Sequence, residues 1–67
     1  EELMAVHAAL ERLSQHDARL AEVVECRFFG GMTYDEIAEA TNRSAITVKR
    51  DWARARTWLY EFMAEDG

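Results

Sequence analysis

Apolar residues recur along the chain at steps of three and four, and no stretch alternates apolar and polar residues as a half-buried strand would. Leu3, Val6, Leu10 and Leu13 form one stripe, which predicts a first helix ending near Ser14. Leu20, Val23, Val24 and Phe28 form a second stripe. Asp17 precedes it as an N-cap, since its side-chain oxygen can accept an orphan backbone N–H. Gly30 and Gly31 should stop that helix, because glycine reaches the left-handed conformation of a helix C-terminus without strain. Thr33 and Glu36 then have the spacing of a capping box, with Met32 and Ile37 placed as its hydrophobic staple. The third helix is short, ending near Thr41, and Asn42 after it tolerates positive φ. Ser44 caps a fourth, long helix from about Ala45 to Phe62. At 100° per residue, Val48, Trp52, Ala55, Leu59 and Phe62 fall on one face of it, and Ile46, Thr47, Arg50, Arg54 and Thr57 on the opposite arc.

The pattern therefore predicts an all-α fold, a compact four-helix domain. Its third and fourth helices, joined by a tight turn, have the helix-turn-helix layout. Sixty-seven residues make one small domain, residues 1–67. A chain of that size buries only roughly 60% of the surface it exposes unfolded, so it needs the efficient core that 49% apolar residues can supply. The chain starts with Glu1 and already in a helical pattern, and reads as a C-terminal piece of something longer. No apolar run approaches a membrane span and no signal peptide is visible, so neither membrane nor export is expected.

Charge changes the picture. The chain carries a net charge of −5, yet five of its eight basic residues lie in "TNRSAITVKRDWARAR", residues 41–56. Residues 1–40 hold nine acids and three bases; residues 41–60 hold Arg43, Lys49, Arg50, Arg54 and Arg56 against Asp51 alone. Screening acts over roughly 8 Å in physiological salt, so a ligand at the basic stretch feels mostly its local charge. A major groove about 12 Å wide accepts one α-helix, and in a helix-turn-helix the second helix enters it with its N-terminal residues on the base edges. Thr47 and Arg50 are placed for bases. Arg43 and Ser44, at the helix N-terminus, are placed for a phosphate, as are Lys49, Arg54 and Arg56 along the helix. Thr33 and Tyr34, at the start of the third helix, form a second candidate phosphate contact. Asp51, at the edge of the core face, is placed to orient a neighbouring arginine.

Other chemistry is thinly represented. One cysteine permits no internal disulfide, and Cys26 reads as a half-buried thiol inside the second helix. His7 and His16 lack metal-ligand spacing with each other or with Cys26. Trp52 reads as core, Trp58 at the stripe's edge as core or partner contact, and Phe28, Phe29 and Tyr34 as core or helix-packing residues. Asp35 is explained by the helix dipole and Glu36 by capping. No phosphate loop or nucleophile set is present. No enzyme, cofactor or metal is expected.

Residues 13–59 resemble the C-terminal region 4 of bacterial sigma factors, closest to the extracytoplasmic-function group. The resemblance is carried by "RFFGGMTYDEIAEA", by Ser44, Thr47, Val48 and Lys49 in the opening of the fourth helix, and by "RDWARARTWL" after it. It implies recognition of the −35 promoter element in double-stranded DNA while bound to the flap of the RNA polymerase β subunit, in the bacterial cytoplasm at the nucleoid. It also implies a domain for the −10 element N-terminal to this piece, and an anti-sigma factor as a further partner. Carried over by position, it assigns DNA contacts to Ser44, Thr47, Lys49, Arg50 and Arg54. It assigns the polymerase-facing surface to the first two helices and the end of the fourth. That assignment gives the acidic first half, including Glu22 and Glu25, a protein partner instead of DNA. Ala18 stands where proline is common and Asn42 where the turn has glycine. Arg43 stands where an apolar residue is usual, which leaves two roles for it: packing of the turn, or recruitment to DNA. Two alternatives share the layout: a response-regulator effector domain, and a protein-interaction module that no longer binds DNA.

Overall fold

The computed structural model describes residues 2–66, with side chains described for residues 4–65. The described residues fold into four α-helices: α1 over Glu2–His16, α2 over Ala18–Val24, α3 over Tyr34–Thr41 and α4 over Ala45–Asp66. A single π-helical turn, Glu25–Phe29, prolongs α2. No strand occurs among the described residues. α1 runs two residues past Ser14, and α4 runs four residues past Phe62. Its 22 residues extend about 33 Å at 1.5 Å per residue, close to the molecule's long axis of 35 Å.

One extended residue separates α1 from α2. Asp17 has φ −156° and ψ 99°, and its carboxylate accepts from the backbone N–H of Arg19 (3.1 Å) and Leu20 (3.4 Å). Its own N–H still donates to Leu13 at 2.7 Å, so the chain turns without leaving that donor unpaired. The end of α2 differs from a regular helix. Gly30 N–H reaches back five residues to the Glu25 carbonyl (3.0 Å) and Met32 N–H six residues to that of Cys26 (3.1 Å). Both glycines are required there. A Cβ on Gly30 would lie 2.7 Å from the Cys26 carbonyl oxygen, and Gly31 has φ 64°.

The widened turn corrects one expectation. Phe28 follows Val24 by four residues and belongs to the core stripe in an unbroken helix. In the π turn the phase lags, and Phe28 is 57% exposed. Phe29 is also exposed, its ring against Phe28 (5.1 Å between centroids) and His7 (5.7 Å). Leu3, expected on the α1 stripe, lies outside the described side chains.

The core has two parts. Ala9, Leu10, Leu13, Leu20, Ala21, Val24, Ala55 and Phe62 pack α1, α2 and the second half of α4 together. Val23, Ile37, Ala38 and Val48 pack α3 against α2 and the first half of α4, with Met32 covering them from before the α3 cap. Trp52 touches both parts. Trp58 stacks on Phe62 (5.6 Å, 25° between planes) and meets His16 at 4.2 Å. Arg12 of α1 lies 4.4 Å over the Phe62 ring and pairs with Glu65 at 2.8 Å, holding the far end of α4 to α1.

Candidate nucleic-acid interface

The α3 N-terminus is built by local chemistry. Thr33 N–H donates to Glu36 Oε1 (2.8 Å) and Glu36 N–H to Thr33 Oγ1 (3.1 Å), a closed capping box. Hydrogen bonding to the carboxylate, from the Thr33 backbone N–H first and the Thr33 side chain second, holds the Glu36 carboxyl below its ordinary value of 4.5. Tyr34 follows at the first helical position, with the Arg27 guanidinium 4.8 Å and Lys49 Nζ 5.8 Å from its ring centroid. Arg27 also donates to the Met32 carbonyl at 2.9 Å. One aromatic ring thus joins the π turn, α3 and α4, with two cations beside it.

The turn into α4 uses the left-handed conformation. Asn42 has φ 57° and ψ 43°; its N–H donates to Glu39 (3.4 Å) and that of Arg43 to Ala38 (2.9 Å), which closes α3 in a Schellman motif. Ser44 starts α4: its Oγ accepts from Thr47 N–H (3.1 Å) and its hydroxyl donates to Thr47 Oγ1 (2.9 Å). The Thr47 hydroxyl is thereby held in place, with its own proton and methyl group left for a ligand.

Beyond this cap, Val48 and Ala55 are fully buried, and Phe62 nearly so, which fixes how α4 rolls on the core. The opposite arc is open. Lys49, Arg50, Arg54 and Thr57 are exposed, and Thr57 returns its hydroxyl to the Ala53 carbonyl (3.1 Å). Among the described residues, neither Arg50 nor Arg54 has an acidic partner, although they lie one helical turn apart. Four other arginines are engaged: Arg12 by Glu65, Arg19 by Asp51, Arg27 by a carbonyl, Arg43 by Glu22; Arg56, also exposed, has no acidic partner among the described residues. Arg19 is held above its usual pKa by its hydrogen bond to Asp51, with that carboxylate's charge adding to the effect.

The fold therefore brings Ser44, Thr47, Lys49, Arg50 and Arg54 onto the first half of α4, with Tyr34 beside Lys49. Thr33 caps the neighbouring helix. Arg43 lies in the turn, but its side chain is directed inward, 2.9 Å from Glu22 and 3.9 Å from Asp51. Arg56 is set apart from this surface. It borders an apolar groove formed with Val24, Phe28, Leu59, Tyr60 and Met63. Two residues beside this surface were not among the expected contacts. Ile46 lies in the first turn of α4 and is 64% exposed, an apolar surface beside Thr47. Its position on the outward arc was visible in the sequence, and an isoleucine there is itself the signal. Arg27 is brought to Tyr34 only by the π turn.

No described helix is long and apolar enough to cross a membrane. Neither curated proteins nor solved structures give a match to the chain. Residues 1–65, nearly the whole chain, match the family described as ECF sigma factor. By that match the chain belongs to the ECF sigma factor family, whose members are non-enzymatic, DNA-binding proteins of transcription initiation.

Proposed function

We propose that this domain acts as sigma region 4, reading the −35 promoter element with the first half of α4 while docked on the RNA polymerase β flap. The observation that carries the reading is the pair Arg50 and Arg54: two exposed arginines without acidic partners on a helix whose other face is locked into the core. Arg50 forks onto guanine O6 and N7, while Thr47 and Ile46 meet thymine methyl groups. Lys49 and Arg54 take phosphates, and Ser44 and Tyr34, with Thr33 behind it, take phosphates at the two helix starts.

The apolar groove supports the second half of the reading. It opens between α1, α2 and the later turns of α4, where Phe28 and Tyr60 are 57% and 66% exposed. It lies away from the basic arc, so a flap segment seated there leaves α4 free for DNA. The domain is then an adaptor that joins two partners by separate faces.

Substitution of the two arginines tests the DNA half. Arg50→Ala is expected to lose about 1–3 kcal/mol of discrimination at one base position. Arg54→Ala is expected to weaken all duplexes alike and to reduce the salt slope of binding by about 0.9. The assignment fails if Arg50→Ala lowers affinity for a selected and a scrambled duplex by the same factor.

A further inference from the structure

Asp51 is the one buried charged residue among the described residues, 1% exposed in the second turn of α4. A carboxylate so placed must be paired, because burying a lone charge is far more unfavourable than leaving it in water. Arg19 of α2 donates to its Oδ1 at 2.8 Å. Its Oδ2 faces Arg43 Nη1 at 3.9 Å, and Arg43 Nη2 donates to Glu22 Oε1 at 2.9 Å. Arg19 and Glu22 are three residues apart and share a face of α2. The four side chains thus form a charge-balanced chain running from α2 through the turn before α4 into α4 itself.

Arg43 is the central link. Its side chain is 21% exposed, and Nη1 and Asp51 Oδ2 are both buried without a hydrogen-bond partner of their own. Each is the nearest compensation for the other. Freeing Arg43 for a phosphate would break its bond to Glu22 and leave Asp51 with Arg19 alone. Arg50 and Arg54, by contrast, have no such bond to break. Two carboxylates beside Arg43 also cancel its charge as seen by an approaching phosphate.

We propose that Arg43 is a positioning residue for promoter recognition: through Glu22 and Asp51 it clamps the start of α4 onto α2, and it makes no phosphate contact. This rests on the reading of α4 as the DNA-facing helix. It assigns the unusual charge in the turn to packing, and it also gives the exposed Glu22 a partner within the domain.

Arg43→Met keeps the stem and removes the charge. The intact domain and this variant are titrated over a range of salt against a duplex selected from random DNA and a scrambled one. The expected result is an unchanged salt slope with a several-fold smaller ratio of selected to scrambled affinity. A slope reduced by about 0.9, the signature of one lost phosphate contact, overturns the proposal, as does an unchanged ratio. Two further readouts do not depend on that variant's binding. In the unaltered domain, the side-chain Nε–H NMR signal of Arg43 should stay in place on adding the selected duplex while those of Arg50 and Arg54 move; an equal shift of Arg43 overturns it. Thermal unfolding of Arg43→Met, Asp51→Asn and the double variant should show coupling, the double variant losing less Tm than the two singles summed. Additive losses overturn the clamp. The cycle contains no DNA, so a parent domain that selects no duplex contradicts the DNA reading while the clamp is still decided.

Discussion

Ser44 shows how one side chain can cap a helix and position its neighbour together. Its oxygen caps α4 by accepting from Thr47 N–H, and its hydroxyl proton pins the Thr47 oxygen on the outward arc. Ser44→Ala is therefore expected to do two things. Stability falls by about 1 kcal/mol, the usual cost of a lost N-cap, which thermal unfolding reads. Selectivity between duplexes also falls, because the Thr47 hydroxyl becomes free to rotate. Ser44→Asp restores the cap but not the hydroxyl donor, and is expected to recover stability without recovering selectivity. Local chemistry of this kind was legible in the sequence. Asp17, the Thr33–Glu36 box, Asn42 and Ser44 all act within a few residues of themselves, and each is where spacing places it. Arg43 was only half legible. Its oddness in a position that is usually apolar was visible, but its partners lie 21 and 8 residues away, and only the packed fold brings them together.

Each helix is defined by its ends, and the ends carry different penalties. The α3 start is the one most open to a pH test. The Glu36 carboxyl is held below 4.5 because the folded state bonds its ionised form. Its contribution is thus fully present above that value and is lost as pH falls through the lower, folded one. Glu36→Gln keeps an oxygen that can accept from Thr33 N–H but does not titrate. The Tm advantage of the parent over Glu36→Gln should therefore shrink as pH drops from 7 to below 4.5, and a constant difference would contradict this role. The α2 end is where helical periodicity failed as a guide. A stripe at steps of three and four assumes 3.6 residues per turn, and the π turn at Glu25–Phe29 breaks that assumption. Its consequence is more than a misplaced phenylalanine. The same turn exposes Phe28 beside the apolar groove and brings Arg27 to Tyr34, so one irregularity contributes to both candidate surfaces.

The whole molecule is organised around α4, which belongs to both parts of the core and to both candidate interfaces. Trp52, shared by the two parts, links the first half of α4 to the second. The charge imbalance noted in the sequence has a physical resolution in this arrangement. Acidic residues outnumber basic ones by five, yet the arginines that acids neutralise, Arg12, Arg19 and Arg43, lie off the outward arc of α4, while Arg50 and Arg54 stay without acidic partners among the described residues. Local field, not net charge, then governs what approaches α4. A single small module with this overall charge should bind DNA weakly by itself, with the flap contact supplying the remainder. The most direct test of the account is a fluorescence-anisotropy titration of the unaltered domain against a selected duplex and its scrambled counterpart at two salt concentrations. The account predicts tighter binding to the selected duplex and a marked loss of affinity for both at the higher salt. Equal affinity for the two duplexes at low salt, or binding indifferent to salt, would contradict α4 as a reader of promoter DNA.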